Sequence, residues 1–179
     1  MTDTKFPADI IHAAQASMLT TGCPASLTLA QWALESAWGK QLAAKNNYFG
    51  IKWFKGCRFP AEVKSTHESY HGKDVVIKAP FVAFPTLQDA FDYHGRLLTN
   101  PHGPYRDALP VIHDAFKFMQ RIAHIYATDP SYEQKLRSIM SKHNLTQYDT
   151  KAAAKPATPP QAKSPAPAQS EPSKTETSK

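Results

Sequence analysis

The sequence of 179 residues predicts a mostly helical α+β domain with one β-hairpin inserted after the second helix. Two patterns predict this fold class. Apolar residues recur at helical spacing near both ends of the domain, and a β-branched and aromatic run, VVIKAPFVAF at 75–84, interrupts the helices. A third observation sets the boundary, because the composition changes abruptly near residue 150. We therefore expect one domain over residues 1–148 and a tail over residues 149–179.

The first two helices are predicted on either side of Gly22. A helical pattern of apolar residues runs from Pro7 to about Thr20. The second helix follows Pro24 and is expected to continue through Trp38, until a glycine ends it at the C-terminal position that glycine favours. Its apolar face is predicted to contain Leu27, Ala30, Leu34, Ala37 and Trp38.

The hairpin and the later helices have local signals of their own. HGK at 71–73 supplies the turn of an antiparallel hairpin. Thr86 and Asp89 resemble a capping box at the start of the next helix. A further helical pattern covers residues 114–125, and a last helix is expected to begin with Asp129 as N-cap and Pro130 in its first turn.

Composition excludes several classes of protein. The tail has six prolines and no aromatic residue, so it cannot pack a core and is expected to be disordered. Residues 150–179 hold +3 of the formal net charge of +6, which leaves +3 on residues 1–149, a domain too weakly basic to suggest nucleic-acid binding. No apolar run approaches the roughly 18–20 residues of a transmembrane helix, and no signal peptide is recognisable. Cys23 and Cys57 leave open whether one disulfide forms.

Glu35 is the first candidate for chemistry. The helical pattern places it beside Leu34 and Trp38, at the edge of an apolar face. Poor solvation would raise the pKa of this carboxyl and suit it to general acid catalysis near neutral pH. The alternative is a solvated glutamate whose stem lies along the surface, as most helical glutamates do.

Two further segments are rich in aromatic and polar side chains. NNYFGIKW at 46–53 offers asparagine amides and aromatic rings that suit the acetamide and hydroxyl groups of a sugar. Its alternative role is a connection to the hairpin, with Phe49 and Ile51 as core anchors. YATDPSY at 126–132 has a tyrosine on each side of a helix start, which capping alone does not explain.

HESYH at 67–71 matches the zinc-peptidase pattern H-E-x-x-H. That motif needs a helix, where histidines four positions apart lie about 6 Å apart on one face. A hairpin is predicted here, and on a strand the same positions are roughly 13 Å apart, too far to share one zinc. We therefore expect no metal, and Glu68 becomes a carboxylate on the rim of the hairpin.

Three segments together resemble the peptidoglycan N-acetylglucosaminidases of glycoside hydrolase family 73. They are PASLTLAQWALESAWGKQLAAKNNYFGIKW (24–53), APFVAFPTLQDAF (79–91) and YATDPSYEQKL (126–136). The resemblance covers roughly residues 6–143 and implies a lysozyme-like helical fold with a β-hairpin lobe. By this resemblance Glu35 is the general acid, Glu68 the second carboxylate with Glu62 as competitor, and Tyr126 a tyrosine near the scissile sugar. The resemblance and the tyrosine-rich segment give four substrate-binding candidates: Trp38, Asn47, Phe49 and Tyr132.

The resemblance also implies a function. The expected activity is endo-cleavage of β-1,4 bonds after N-acetylglucosamine in peptidoglycan, by a monomer that needs no cofactor and acts in the periplasm or outside the cell. The alternatives are a muramidase that cuts the other glycosidic bond, and a non-catalytic glycan-binding or assembly module. Either a water activated by Glu68 or the substrate's own acetamide could complete the reaction.

Overall fold

The computed structural model describes residues 6–70 and 73–149, with only the backbone described at 67–70 and 73–75. In chain order it contains two helices, a hairpin and three more helices: α1 (Ala8–Thr21), α2 (Ala25–Glu35), β1 (Ala61–Tyr70), β2 (Lys73–Val82), α3 (Leu87–Thr99), α4 (Ala115–Tyr126) and α5 (Tyr132–Lys142). Two 3₁₀ turns, Arg106–Val111 and Leu145–Tyr148, were not predicted. The mostly helical class with one inserted hairpin is confirmed.

Helix α2 is the central element of the core. All of its residues from Ala25 to Ala33 are buried, because α1, α3, α4, α5 and the final 3₁₀ turn pack around it. A helix buried on every side is a fixed support for whatever its last residue carries. That last residue is Glu35.

The prediction that α2 continues through Trp38 is wrong. The Ser36 hydroxyl donates to the Trp32 carbonyl at 2.6 Å and accepts from the Gly39 amide at 2.8 Å, which replaces helical backbone bonding. Ala37 and Trp38 then take the left-handed conformation, with φ of 48° and 62°. The chain therefore turns away directly after Glu35.

The hairpin is confirmed. Strands β1 and β2 pair antiparallel without a break, from Ala61 opposite Val82 to Tyr70 opposite Lys73. The loop before the hairpin joins its base, because the Val82 amide donates to the Ile51 carbonyl at 3.0 Å. Residues 67–70 of the HESYH motif are extended strand, so they lack the helical geometry of a zinc peptidase, and position 71 lies outside the described residues.

Of the two caps predicted for helix starts, the one at Thr86 is confirmed and the one at Asp129 is wrong, and Asp114 caps α4 without having been predicted. The Thr86 hydroxyl accepts from the Asp89 amide at 3.1 Å, and the Asp114 carboxylate accepts from the Lys117 amide at 3.1 Å. Asp129 is not the N-cap of α5: its carboxylate accepts from the Ser131 amide at 2.8 Å, which closes a turn ahead of the helix. Helix α5 begins at Tyr132, and Ser131 is its N-cap residue.

Asp149, the last residue that the structure describes, is bonded to the start of α2. The Asp149 carboxylate accepts from the Ser26 amide at 2.8 Å and from the Ser26 hydroxyl at 2.7 Å, at the start of α2. The two cysteines are free thiols, so the bridge left open by the sequence is absent: Cys23 is buried against Thr28 and Cys57 is half-buried. None of the helices within residues 6–149 that the structure describes has the length and apolarity of a membrane span.

Candidate active site

An open cleft of about 860 Å³ lies where the helical part of the domain meets the base of the hairpin. The end of α2 contributes Glu35, the loop before the hairpin contributes Phe49, and strand β1 contributes Lys64 and Thr66. Helices α3 and α4 add the aromatic side of the wall with Tyr93 and Tyr126. The cleft therefore combines one carboxyl with aromatic faces, the usual composition of a carbohydrate-binding site.

The Glu35 carboxyl stands between the buried core and the cleft. The Tyr132 hydroxyl donates to its Oε1 at 2.6 Å, and the Gln31 amide nitrogen donates to the Tyr132 hydroxyl at 3.1 Å. Burial raises the pKa of Glu35, and the hydrogen bond from Tyr132 opposes that rise in part. This agrees with the poorly solvated acid that the sequence predicts. A protonated carboxyl at the edge of a cleft can donate its proton to a substrate oxygen.

Two tyrosines form a stack beside Glu35. The Tyr126 and Tyr132 rings lie 5.6 Å apart between centroids at an interplanar angle of 12°. Tyr126 lines the cleft, and its hydroxyl donates to the Phe49 carbonyl at 3.5 Å. Burial raises the pKa of both phenols, so both stay protonated and able to donate.

The structure corrects the role predicted for Tyr132. Its side chain is buried, it is not among the residues that line the cleft, and its hydroxyl is engaged with Glu35 and Gln31. Its contact is with the acid and not with a bound glycan.

Asn47 is also not a substrate contact. Its amide nitrogen donates to the Ile51 and Val82 carbonyls, each at 2.8 Å, and its oxygen accepts from the Ile51 amide at 3.0 Å. The side chain is fully buried, so these bonds tie the loop to the end of β2. Asn47 holds the cleft wall in place from behind.

Trp38 lies away from the cleft. Its ring packs on Phe6 and His143, with centroid distances of 5.1 and 5.2 Å. The left-handed turn after Glu35 directs this indole toward Phe6 and His143 and away from the acid. Trp38 is therefore not among the residues that line the cleft, and its role in substrate binding stays a prediction.

Phe49 does line the cleft, and it rests on a residue that the sequence did not single out. Its ring stacks on the His94 imidazole, with centroids 4.0 Å apart and an interplanar angle of 16°. His94 is fully buried, and neither ring nitrogen has a partner among the described residues. Burial lowers the pKa of His94 to about 3, so the imidazole is neutral. A histidine within an apolar helix face gives no sequence signal for this role.

The hairpin carboxylates are in different situations. Glu62 accepts from the Lys45 amide at 2.9 Å and pairs with the Lys64 ammonium at 2.7 Å. The bonds from Lys64 and Lys45 lower the pKa of Glu62. Glu68 is paired with Val75 in the strand register, two positions beyond the cleft residue Thr66. Its side chain lies outside the described residues, so its role stays a prediction.

Two exposed apolar side chains that line the cleft were not predicted from the sequence. Phe54 is 56% exposed and Leu42 is 41% exposed, and both line the cavity. Phe54 directly follows the aromatic segment 46–53, so its position next to three other aromatic residues is the sequence signal for it. Exposed apolar faces of this kind suit the apolar faces of sugar rings.

Comparisons with known proteins show which family this chain resembles. A family model described as mannosyl-glycoprotein endo-beta-N-acetylglucosaminidase matches residues 11–145. The exo-glucosaminidase LytG of Bacillus subtilis strain 168 is 34% identical over 131 residues, 69% of this chain and 45% of that protein. The autolysin of Enterococcus faecalis strain ATCC 700802 / V583 is 30% identical over 157 residues, 82% of this chain and 21% of that protein. The chain thus spans less than half the length of either curated relative.

Solved structures of catalytic domains also resemble this chain. The catalytic domain of the autolysin Auto from Listeria monocytogenes superposes with a TM-score of 0.68 at 28% identity. The match covers 83% of this chain and 92% of that one. The likeness therefore extends over nearly all of a solved catalytic domain.

Proposed function

Because the chain belongs to the glucosaminidase family of glycoside hydrolases, we propose that it is an endo-acting peptidoglycan hydrolase that cleaves β-1,4 bonds after N-acetylglucosamine. The observation that carries the proposal is Glu35, a carboxyl with a raised pKa at the edge of an aromatic cleft. Hydrolysis of a glycoside requires such a group to protonate the departing oxygen. The substrate places the site of action outside the cytoplasm.

In the proposed reaction, Glu35 gives its proton to the glycosidic oxygen while the bond from that oxygen to the anomeric carbon breaks. The resulting carboxylate is stabilised by the hydrogen bond from Tyr132. Tyr126 lies beside the acid, where its neutral hydroxyl can exchange its 3.5 Å bond to the Phe49 carbonyl for a bond to the reacting sugar. The exposed face of Phe54 is proposed to hold a neighbouring sugar ring, and the small exposed part of Phe49 is proposed to complete that wall of the cleft.

Glu68 is proposed as the second carboxylate. A water activated by Glu68 from the opposite face of the sugar would give inversion at the anomeric carbon, whereas attack by the substrate's 2-acetamido group would give retention. Proton NMR of the first-formed anomer distinguishes the two outcomes.

The proposed bond specificity is tested by reducing the ends that appear during digestion of purified peptidoglycan. Reduced N-acetylglucosamine ends support the proposal, and reduced N-acetylmuramic acid ends would show a muramidase. Binding to peptidoglycan without release of any ends would show a glycan-binding module. Early release of long fragments supports endo action, whereas early release of single sugars would show exo action.

Glu35→Gln is expected to lower turnover by about 10²–10⁴-fold, because the general acid is lost. Its stability should be equal to or above wild type at neutral pH. The raised pKa makes the folded wild type lose stability as pH rises through that pKa, and glutamine removes this loss.

The matched control is Glu133→Gln, which changes an exposed glutamate of α5 that pairs with Arg137 at 3.2 Å. It should keep wild-type turnover. Undiminished turnover by Glu35→Gln would exclude Glu35 as the acid.

A further inference from the structure

We propose that Gln31 is a positioning residue for the general acid, because its amide fixes the Tyr132 hydroxyl proton on Oε1 of Glu35 and thereby confines the acidic proton to Oε2. This inference rests on the proposed function, in which Glu35 is the acid. It assigns a task to a residue one helical turn before Glu35, inside the core and outside the cleft.

Two hydrogen bonds carry the inference. Gln31 is fully buried on α2, and its amide nitrogen donates to the Tyr132 hydroxyl oxygen at 3.1 Å. The same hydroxyl is 2.6 Å from Oε1 of Glu35. The three polar groups form one chain that runs from the core to the edge of the cleft.

The protons of this chain can be assigned one by one. A phenol has a single proton, and the Gln31 amide supplies its own proton to the phenol oxygen. The tyrosine proton is therefore free to point at Oε1 of Glu35, which must accept it. When Glu35 is protonated, the acidic proton then belongs on Oε2.

The opposite arrangement would disable the acid. If residue 31 accepted the tyrosine proton, Tyr132 could accept from Glu35 instead, and the acidic proton would be drawn toward the core. A proton on Oε1 is held between Glu35 and Tyr132 and cannot reach a glycosidic oxygen in the cleft. The donor group of Gln31 thus selects the productive carboxyl oxygen.

The cost of burying Gln31 supports a functional role. The amide oxygen of Gln31 has no hydrogen-bond partner among the residues that the structure describes. Burial of an amide with an unsatisfied oxygen destabilises a fold, and an apolar side chain of equal size would avoid that penalty. The stability of α2 alone therefore does not explain a glutamine at this position.

The test compares Gln31→Met, Tyr132→Phe and the double variant. Methionine matches glutamine in length and volume, and phenylalanine keeps the ring stacked on Tyr126. The readouts are kcat and KM on glycan fragments, and the pKa of Glu35 from a carbon-13 NMR titration of the carboxyl in the substrate-free protein. Thermal unfolding confirms that each variant folds.

Gln31→Met is expected to lower kcat by about tenfold with KM unchanged, the loss of roughly one hydrogen bond. The pKa of Glu35 should rise, since the tyrosine becomes a weaker donor to the carboxylate. Tyr132→Phe should shift both quantities further in the same directions. Because Gln31 acts through Tyr132, the double variant should match Tyr132→Phe alone.

Thr28→Val is the control for removal of a buried polar group from α2. The Thr28 hydroxyl bonds to the Pro24 carbonyl at 3.2 Å, at the far end of the helix from Glu35. This variant should change the unfolding temperature and leave kcat and the pKa of Glu35 at wild-type values.

Three results would overturn the inference: an unchanged pKa of Glu35 in Gln31→Met, additive losses in the double variant, or an equal loss of kcat in Thr28→Val. If Gln31→Met does not fold, an unchanged pKa of Glu35 in Tyr132→Phe overturns it equally. The titration needs no substrate, so it tests the hydrogen-bond chain even if the wild type cleaves no glycan. A wild type without activity would count against the proposed function alone.

Discussion

The helical side and the hairpin side of the cleft differ in how their polar groups are held. On the helical side, Gln31, Tyr132 and Glu35 are joined by hydrogen bonds inside the core. On the hairpin side, Val63 and Val76 are 62% and 61% exposed, and the strands are held mainly by their own backbone pairing. The acid is therefore placed on the side where neighbours fix its position and keep water away.

The two sides also shift carboxyl pKa values in opposite directions. Burial raises the pKa of Glu35, whereas bonds from Lys64 and Lys45 lower the pKa of Glu62 at the base of the hairpin. A carboxyl that favours its protonated form and one that favours its ionised form can thus exist in one domain at the same pH. The difference shows that burial favours the protonated form of Glu35, whereas the bonds from Lys64 and Lys45 favour the ionised form of Glu62.

On the hairpin side, the largest expected effect follows from the loss of the Glu68 carboxylate. If Glu68 is the second carboxylate, Glu68→Gln should lower kcat by about 10²-fold, because its interaction forms mainly in the transition state. Substrate binding should persist. The measurement is the initial rate of reducing-end release at saturating peptidoglycan.

Glu62→Gln is the matched control on the same strand, because this carboxylate is already engaged by Lys64 and the Lys45 amide. It should stay near wild-type activity. A loss of only about tenfold or less in Glu68→Gln would assign the step to the substrate's acetamide. An inactive Glu62→Gln beside an active Glu68→Gln would reverse the two assignments.

On the helical side, the second prediction concerns how stability depends on pH, because the buried His94 packs against Phe49. The pKa of His94 falls from 6.5 to about 3 on folding, so the unfolded chain binds a proton that the folded domain excludes. The free energy of unfolding that the neutral His94 contributes is fully present above pH 6.5 and is lost as pH falls toward 3. Between pH 6.5 and 5 the wild type should lose about 2 kcal/mol of unfolding free energy through this group.

His94→Gln removes the titrating group and should show a shallower loss of stability over the same pH range, although its packing on Phe49 is weakened at every pH. His124→Gln, at an exposed position of α4, should keep the wild-type slope. Urea unfolding at pH 6.5 and pH 5 gives the two slopes. Parallel slopes for wild type and His94→Gln would contradict the prediction.

Local signals in the sequence were enough for most of the fold. The cap at Thr86 and the hairpin run at 75–84 depend on residues close together in the chain. Helix α2 was predicted too long because the Ser36 hydroxyl competes with its backbone bonds, and that competition depends on a left-handed turn that non-glycine residues rarely adopt.

The site was less predictable because its residue types do not determine their partners. Asn47 and Tyr132 have groups that suit a sugar, yet their bonds go to Val82 and Glu35, which are 35 and 97 positions away. Only the tertiary fold shows which polar groups form their hydrogen bonds within the protein and are therefore not free to bind a sugar. The raised pKa of Glu35 agrees with the prediction, but its cause was only partly predictable, because Trp38 turns away from α2 and the hydrogen-bond partner Tyr132 comes from α5.

The smallest expected effect concerns the far end of the helical side, where Asp149 bonds to Ser26 at the start of α2. A carboxylate at a helix N-terminus satisfies amides that the helix leaves unpaired, so Asp149→Ala should cost about 1 kcal/mol. For a domain of this size that is a fall of roughly 2–4 °C in unfolding temperature.

A chain that ends at residue 150 keeps Asp149 and loses only the proline-rich tail. The composition of that tail cannot build a core, so the shortened chain should unfold at the wild-type temperature. Differential scanning calorimetry of the three proteins checks both expectations. A shortened chain that melts lower than Asp149→Ala would show that the tail, and not the bond to α2, completes the support of the acid.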